Sequence, residues 1–152
     1  MFSLLGNVAD AKLIYHSQGN QSRISPPDGW VRLGKGAFRK VYLSPDRIVY
    51  KVAFNYKLAV NNNDDEYNNF LKIRDRKFRG WRIPEVHTFQ WRDVERNHDV
   101  TVNTMDFIPG VHELPTIKTH WPAFERFGLF DDTTENYVLG HDGYRYIVDM
   151  AC

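Results

Sequence analysis

Three acidic and amide side chains near the end of the sequence are of the types that bind magnesium and orient a hydroxyl group. Asp131 and Asn136 have four residues between them, and Asp149 follows a short apolar run further on. Carboxylate and amide oxygens suit Mg²⁺, and phosphoryl transfer needs groups that hold this ion between phosphates. A turn or helix-cap role is favoured for Asp132 and Thr133. It is less favoured for Asp149, because a carboxylate at the end of an apolar strand is costly to bury without a partner.

Two glycines and a lysine upstream have the chemistry to contact the phosphates of the same ligand. Gly34 and Gly36 lie in a turn between short apolar runs, where backbone amides can approach phosphate oxygens closely. A purely structural hairpin is the commoner role for such glycines. Lys51 lies within a strand-like run, and Glu66 is the only glutamate of the helix-like segment that follows. Lys51 is either a solvent-facing strand residue or a cation directed at phosphates and oriented by Glu66.

The elements that must position these residues are short strands with few helices between them. Ser44 to Arg47 predicts a tight turn, and Asp142-Gly143 is a strong hairpin signal. Because strands follow one another without regular alternation with helices, an α+β fold is favoured. The predicted strands are 31–33, 41–43, 48–52, 86–92, 99–107, 137–139 and 144–148.

Three segments have helical patterns. Residues 63–77 are predicted as a helix, with N-cap chemistry offered by Asn63-Asp64-Asp65, and residues 116–127 as a short helix interrupted by Pro122. A polar, proline-containing stretch ends at residue 29, so we predict an N-terminal helix and linker over 1–29 and a main domain over 30–152. The N-terminal helix, within residues 1–15, would direct one apolar face inward, formed by Leu4, Leu5, Val8 and Leu13.

Composition narrows the class of partner. The net charge is +1, from 20 basic and 19 acidic residues, which gives no general attraction to nucleic acid or to membrane surfaces. Aromatic residues make up 14% of the chain, so a packed core is expected. The single cysteine, Cys152, cannot form an internal disulfide, and a reducing, cytoplasmic setting is expected.

Taken in order, these residues resemble the signature of the protein-kinase-like superfamily, which includes aminoglycoside and other small-molecule phosphotransferases. That signature is a glycine-rich loop, a strand lysine, a helix glutamate, an Asp-x-x-x-x-Asn motif and a later metal-binding aspartate. The likeness extends from about Trp30 to Cys152. The chain departs from the pattern at Arg39, where the third loop glycine is expected, and after Asp149, where Met150 and Ala151 follow.

The resemblance implies a kinase-like N-lobe, with a five-stranded antiparallel sheet and one packed helix, followed by a rudimentary, truncated second lobe. By that likeness Asp131 is the catalytic base or hydroxyl-positioning group, Lys51 the phosphate clamp and Glu66 its orienter, while Asn136 and Asp149 bind Mg²⁺. Met105 is then the gatekeeper, with the backbone of the two residues after it facing adenine. The implied ATP-binding residues are Gly34, Gly36, Val41, Val49, Lys51, Met105, Asp106 and Phe107.

The implied function is transfer of the γ-phosphate of ATP to a hydroxyl acceptor by a minimal kinase. The alternative is a catalytically inactive, pseudokinase-type protein that inhibits or recruits a partner. The sequence ends three residues after Asp149, too soon for the helical base of a second lobe. The apolar C-terminal hairpin therefore needs a cover, which would be the N-terminal segment, a second copy of the chain in a homodimer, or a partner protein.

Overall fold

β-Branched and aromatic residues favour extended structure, and the runs of them in this sequence form most of the observed strands. The computed structural model describes residues 5–18, 25–73, 81–112 and 137–148. In chain order its elements are α1 (Val8–Gln18), β1 (Val31–Lys35), β2 (Arg39–Leu43), β3 (Ile48–Ala53), α2 (Lys57–Ile73), β4 (Trp81–Arg82), β5 (His87–Asp93), β6 (His98–Asp106), β7 (Gly110–His112), β8 (Tyr137–Gly140) and β9 (Arg145–Ile147).

The larger sheet has five strands in the order β1-β2-β3-β6-β5, and every neighbouring pair is antiparallel. The prediction of an α+β fold with a five-stranded antiparallel sheet is therefore confirmed. The predicted turn between β2 and β3 is also present. Ser44 donates its backbone N–H to the Ile48 carbonyl at 2.9 Å and accepts the Ile48 N–H through Oγ at 3.1 Å.

One face of this sheet packs against α1. Asn7 caps the helix by accepting the Asp10 N–H at 2.8 Å, and its own N–H donates to the Tyr50 hydroxyl at 3.2 Å. The Thr104 hydroxyl donates to the Leu5 carbonyl at 2.6 Å. The buried core on this face consists of Leu5, Ala11, Ile14, Tyr15, Trp30, Tyr42, Ile48, Tyr50, Val52, Val100 and Val102.

The predicted inward face of the N-terminal helix is wrong in part. The helix begins at Val8, because Gly6 has a positive φ of 80° and Asn7 provides the cap. Val8 and Leu13 are each 47% exposed, whereas Ile14 is fully buried. Beginning the helix later rotates its buried stripe to the side that carries Ala11, Ile14 and Tyr15.

A buried carboxylate joins α1 to the hairpin between β5 and β6. Asp93 accepts the Tyr15 hydroxyl at 2.8 Å and the Arg96 Nη1 at 3.2 Å. The hydrogen bond from Tyr15 is the main cause that lowers the pKa of Asp93, and burial raises the pKa of Tyr15. The Tyr15 ring also meets Trp91 edge-on, with 5.6 Å between centroids.

The second helix begins six residues before its predicted start. Asn63, the first residue of the predicted cap segment, lies in the middle of α2, so that prediction is wrong. The buried residues Ala59, Asn63, Glu66 and Phe70 recur every three or four positions, as on one face of a helix. Two of these four are polar, and for that reason the hydrophobic pattern alone does not reveal where the helix starts.

The smaller sheet has the order β4-β9-β8-β7, with β4 parallel to β9 and the other pairs antiparallel. The predicted C-terminal hairpin is present as β8 and β9, with Gly143 at a φ of 85° in its turn. Strands β4 and β7 were not predicted. Tyr137 and Ile147 of the hairpin are buried, and Tyr144 is 49% exposed.

The chain divides into two compact units. One contains Met1–Asp64 and Val86–Phe107, and the other contains Asp65–Glu85 and Ile108–Cys152. The buried residues of α1, one of the three covers proposed for the C-terminal hairpin, belong to the core of the first unit. The helix predicted at 116–127 lies outside the described residues. Within the described ranges, no helix has both the length and the apolar character needed to cross a membrane.

Candidate functional site

Lys51 is the centre of a row of residues that crosses the larger sheet. In the strand register Gly34 pairs with Val41, Val41 with Lys51, and Lys51 with Asn103. Residues directly opposite each other in antiparallel strands direct their side chains to the same face. Lys51 is only 5% exposed, so this row carries a buried cation near the middle of the sheet.

A second row on the same face contains two more of the predicted nucleotide-binding residues. Val49 lies two residues before Lys51 in β3 and pairs with Met105 of β6. Alternate residues of a strand share a face, so Val41, Val49, Lys51 and Met105 all lie on one side of the sheet. Val49 and Met105 are buried and Val41 is half-buried. Four residues chosen from the sequence for one ligand are thus brought together by strand register.

The two glycines lie in the hairpin between β1 and β2, which is exposed at both positions. Neither has a positive φ, and a Cβ added at Gly34 would meet no atom within 4 Å. A Cβ at Gly36 would meet only the Arg39 carbonyl oxygen, at 3.9 Å. Side-chain space therefore does not explain glycine at either position, although the register of β1 with β2 shifts between Arg32 and Gly34, and glycine in a strand often marks such a bulge. Close approach of a ligand to the backbone is a physical reason for glycine that remains.

The hairpin is strongly cationic. Residues 31–43 include four lysines and arginines and no acidic residue, although the whole chain carries only +1. Burial lowers the pKa of Lys40, and the positive charges of Lys35 and Arg32 lower it further. Lys35 and Lys40 are directly opposite each other in the register, and like charges so placed repel each other. Lys40 pairs with Val52 in the register and therefore lies on the face of the sheet opposite to Lys51.

The segment expected to contact adenine follows Met105. Asp106 is exposed and Phe107 is half-buried. The Phe107 N–H donates to the Arg47 carbonyl at 3.4 Å, and the Arg47 guanidinium lies 5.0 Å from the Phe107 ring centroid. The Phe107 N–H is thus bound to the turn that precedes β3, so an adenine contact at this residue would use its carbonyl oxygen.

The roles of the remaining predicted residues stay predictions. Glu66 is fully buried on α2, three residues after Asn63 and on the same helix face. Lys51 and Glu66 fall in different compact units, and the ion pair between them stays a prediction. Asp131, Asn136 and Asp149 lie outside the described residues. Within the described part of the chain, no group of three or more histidine, cysteine or acidic side chains could hold a metal ion.

Two residues of this region were not identified from the sequence as parts of a site. Arg39 is buried, although the resemblance expects glycine there, and its Nη1 donates to the Asn63 Oδ1 at 3.1 Å. Asn63 is fully buried inside α2. The only sequence signal for them was Arg39, which departs from the glycine of the kinase-like pattern. An arginine in such a loop has a long cationic side chain that needs a binding partner.

Comparison with known proteins does not assign this chain to a family. No protein-family model matches the sequence. Among curated proteins, none matches it. The kinase-like resemblance therefore depends on the residues described above.

Proposed function

We propose that this protein binds Mg-ATP on the Lys51 face of its larger sheet and transfers the γ-phosphate to a hydroxyl acceptor. The observation that carries the proposal is the shared face of Val41, Val49, Lys51 and Met105, which strand register alone determines. A sheet face with a buried lysine between apolar residues suits a nucleotide, whose base is apolar and whose phosphates are anionic.

The order of elements supports a kinase-like interpretation of this sheet. In protein kinases the phosphate-contacting lysine lies on the third strand and is paired with a glutamate of the following helix. Here Lys51 lies on β3, and the next element, α2, carries Glu66. The glycine-bearing hairpin precedes them as the first connection of the sheet, and a Cβ would have room at either of its glycines.

The residues of the chemical step are assigned by the resemblance. Asp131 would position the acceptor hydroxyl or accept its proton, and Asn136 and Asp149 would bind Mg²⁺, which neutralises charge on the phosphates. Lys51 would hold the phosphates, with Glu66 as its orienting partner. A cytoplasmic location fits a protein that uses ATP and has a single cysteine.

A second candidate function is nucleotide-free or non-catalytic binding of a partner, as in a pseudokinase. The burial of Val49, Lys51 and Met105 favours it, because protein atoms already cover those side chains. A partner protein or a second copy of the chain would then cover exposed groups such as Tyr144 and Val111 in the smaller sheet.

Phosphate transfer from radiolabelled ATP, measured with Mg²⁺ and a panel of small hydroxyl compounds and proteins, separates the two functions. General base catalysis contributes typically about 10²–10⁴-fold to rate, so Asp131→Asn should reduce transfer by that order and leave the melting temperature unchanged. Full activity of Asp131→Asn would contradict its assigned role. A wild-type protein that binds ATP without transfer or hydrolysis would favour the binding protein.

A further inference from the structure

Arg39 occupies the position where a kinase-like loop has its third glycine, and its side chain is directed inward. It is the first residue of β2 and pairs with Ala53 of β3, which puts it on the Lys51 face. The side chain is buried, with Nη1 donating to the Asn63 Oδ1 at 3.1 Å. A buried guanidinium is costly to hold without such a partner.

The Asn63 side chain is oriented by the strands beneath it. Its Nδ2 donates to the Lys51 carbonyl at 2.9 Å and to the Thr101 carbonyl at 3.2 Å. With both donors directed at strand carbonyls, the Oδ1 is left to accept from Arg39. The Asn103 Nδ2 in turn donates to the Asn63 carbonyl at 2.8 Å.

Asn63 thereby connects α2 to three strands. Through Arg39 it reaches the glycine-bearing hairpin, and through the Lys51 carbonyl it reaches the strand that bears the buried cation. The tip of the hairpin has its own attachments nearby. The Phe54 N–H donates to the Phe38 carbonyl at 2.9 Å, and the Tyr56 hydroxyl donates to the Ala37 carbonyl.

We propose that Arg39 and Asn63 are a positioning pair that holds the glycine-bearing hairpin at a set distance from Lys51, so that the proposed phosphate site is formed before nucleotide binds. This inference rests on the proposed function. Arg39 acts through Asn63 and does not itself contact phosphate, because its guanidinium is buried against the helix. A third glycine would make the loop more mobile, whereas in this chain the anchored arginine restrains it.

The test compares Arg39→Ala with Arg92→Ala. Arg92 is a matched control, since its Nη1 also donates to a side-chain oxygen, that of Asp99 at 2.9 Å, but at the exposed surface of β5. Hydrogen exchange is measured without nucleotide at the Gly36 and Phe54 amides, which both donate to carbonyls of the hairpin. Loss of a hydrogen bond to a charged group predicts exchange about tenfold faster in Arg39→Ala and unchanged exchange in Arg92→Ala.

Calorimetry with Mg-ATP supplies the second reading. Arg39→Ala and Asn63→Ala should each weaken binding about tenfold, and the double variant should be no weaker than either, because the two residues act as one unit. Arg39→Lys keeps the charge and the stem but loses the guanidinium fork, so it should weaken binding less than Arg39→Ala. Arg39→Ala with wild-type exchange and affinity would overturn the proposal.

The two proposals fail in distinguishable ways. Weaker Mg-ATP binding by Arg39→Ala with unchanged exchange would mean direct phosphate contact and would overturn the positioning role. Wild-type protein that binds no Mg-ATP would reject the nucleotide site. The exchange rates of Arg39→Ala and Arg92→Ala would then still support or overturn the anchoring of the hairpin by Arg39.

Discussion

At the scale of single residues, the hairpin glycines separate what the fold requires from what a ligand requires. Gly34→Ala and Gly36→Ala should change the free energy of unfolding by less than about 1 kcal/mol, because the added methyl group meets almost nothing. Both should weaken Mg-ATP binding about tenfold, or about 1.4 kcal/mol, since the methyl group holds phosphate away from the backbone. Urea denaturation and calorimetry measure the two effects.

Gly110→Ala is the matched control for those substitutions. A Cβ at Gly110 would lie 2.1 Å from the Leu139 carbonyl oxygen, so the β7–β8 pairing requires glycine there. This variant should lose roughly 1–3 kcal/mol of stability through overpacking. If the hairpin variants instead lose as much stability as Gly110→Ala, or bind Mg-ATP as tightly as wild type, their glycines are structural.

Tyr50, like the buried Tyr42, gives the protein a sensitivity to alkaline pH. Burial raises its pKa from 10.0 to about 12, so the folded state favours the neutral phenol. The stability that this shift contributes is complete below pH 10 and is lost as pH rises through the folded value. We expect thermal unfolding temperatures to fall between about pH 10 and about pH 12.

Tyr50→Phe tests that origin. It should lower stability at neutral pH by about 1 kcal/mol, because the Asn7 N–H loses its acceptor. It should also make the alkaline loss shallower. The exposed Tyr144 serves as control, and Tyr144→Phe should leave the stability at neutral pH as in wild type. Equal slopes for wild type and Tyr50→Phe would show that Tyr50 is not the group responsible.

At the scale of elements, α1 is part of the core of the first unit. Ile14→Ala should cost about 2–5 kcal/mol, the range for large-to-small changes in a packed core, because Ile14 is fully buried. Leu13→Ala, one position away and 47% exposed, should change stability by less than about 0.5 kcal/mol. Urea denaturation of the two variants checks the orientation of the helix, and similar losses for both would contradict it.

Strands and turns were more predictable than helix limits, for reasons visible in particular residues. The residue types of Val49 and Val52 were enough to predict their strand. Asp142-Gly143 predicted its turn, because glycine tolerates the positive φ that the turn requires. The N-cap prediction at Asn63 was wrong, because asparagine favours helix caps unless other parts of the fold satisfy its side-chain amide. Its partners Arg39, Lys51 and Thr101 lie on three strands, 24, 12 and 38 residues away from Asn63 in the sequence, and no local pattern contains them.

The residues of the candidate site also differ in how far the sequence could predict their positions. The sequence order of Lys51 and the valines indicated a common role. Alternation along β3 places Val49 and Lys51 on one face, but the position of Val41 depends on the register between β2 and β3. The anchoring of Arg39 was unpredictable, because it depends on where α2 crosses the sheet. At the tip of the hairpin, the Tyr56 hydroxyl reaches Ala37 across a distance in sequence that no periodicity encodes.

At the scale of the whole molecule, the proposed function depends on several features taken together, because each feature alone is weak evidence for it. The net charge of the chain is near zero, but the hairpin of β1 and β2 has four cationic residues and no acidic residue. The attraction for anions is therefore local rather than general. The first unit contains the hairpin, Lys51 and the segment through Phe107. These are the groups that the proposal assigns to nucleotide binding, and the acids assigned to catalysis follow later in the chain.

Binding of Mg-ATP to the full chain tests the central claim most directly. Calorimetry and thermal unfolding should show one site, with stabilisation of roughly 2.7 kcal/mol at 100 times the dissociation constant. Lys51→Met should weaken binding at least about tenfold, or about 1.4 kcal/mol, because the phosphates lose their buried cation. The exposed Lys57 provides the control, and Lys57→Met should bind as wild type does. Folded wild-type protein that shows neither heat nor a shift in melting temperature at saturating Mg-ATP would contradict the account.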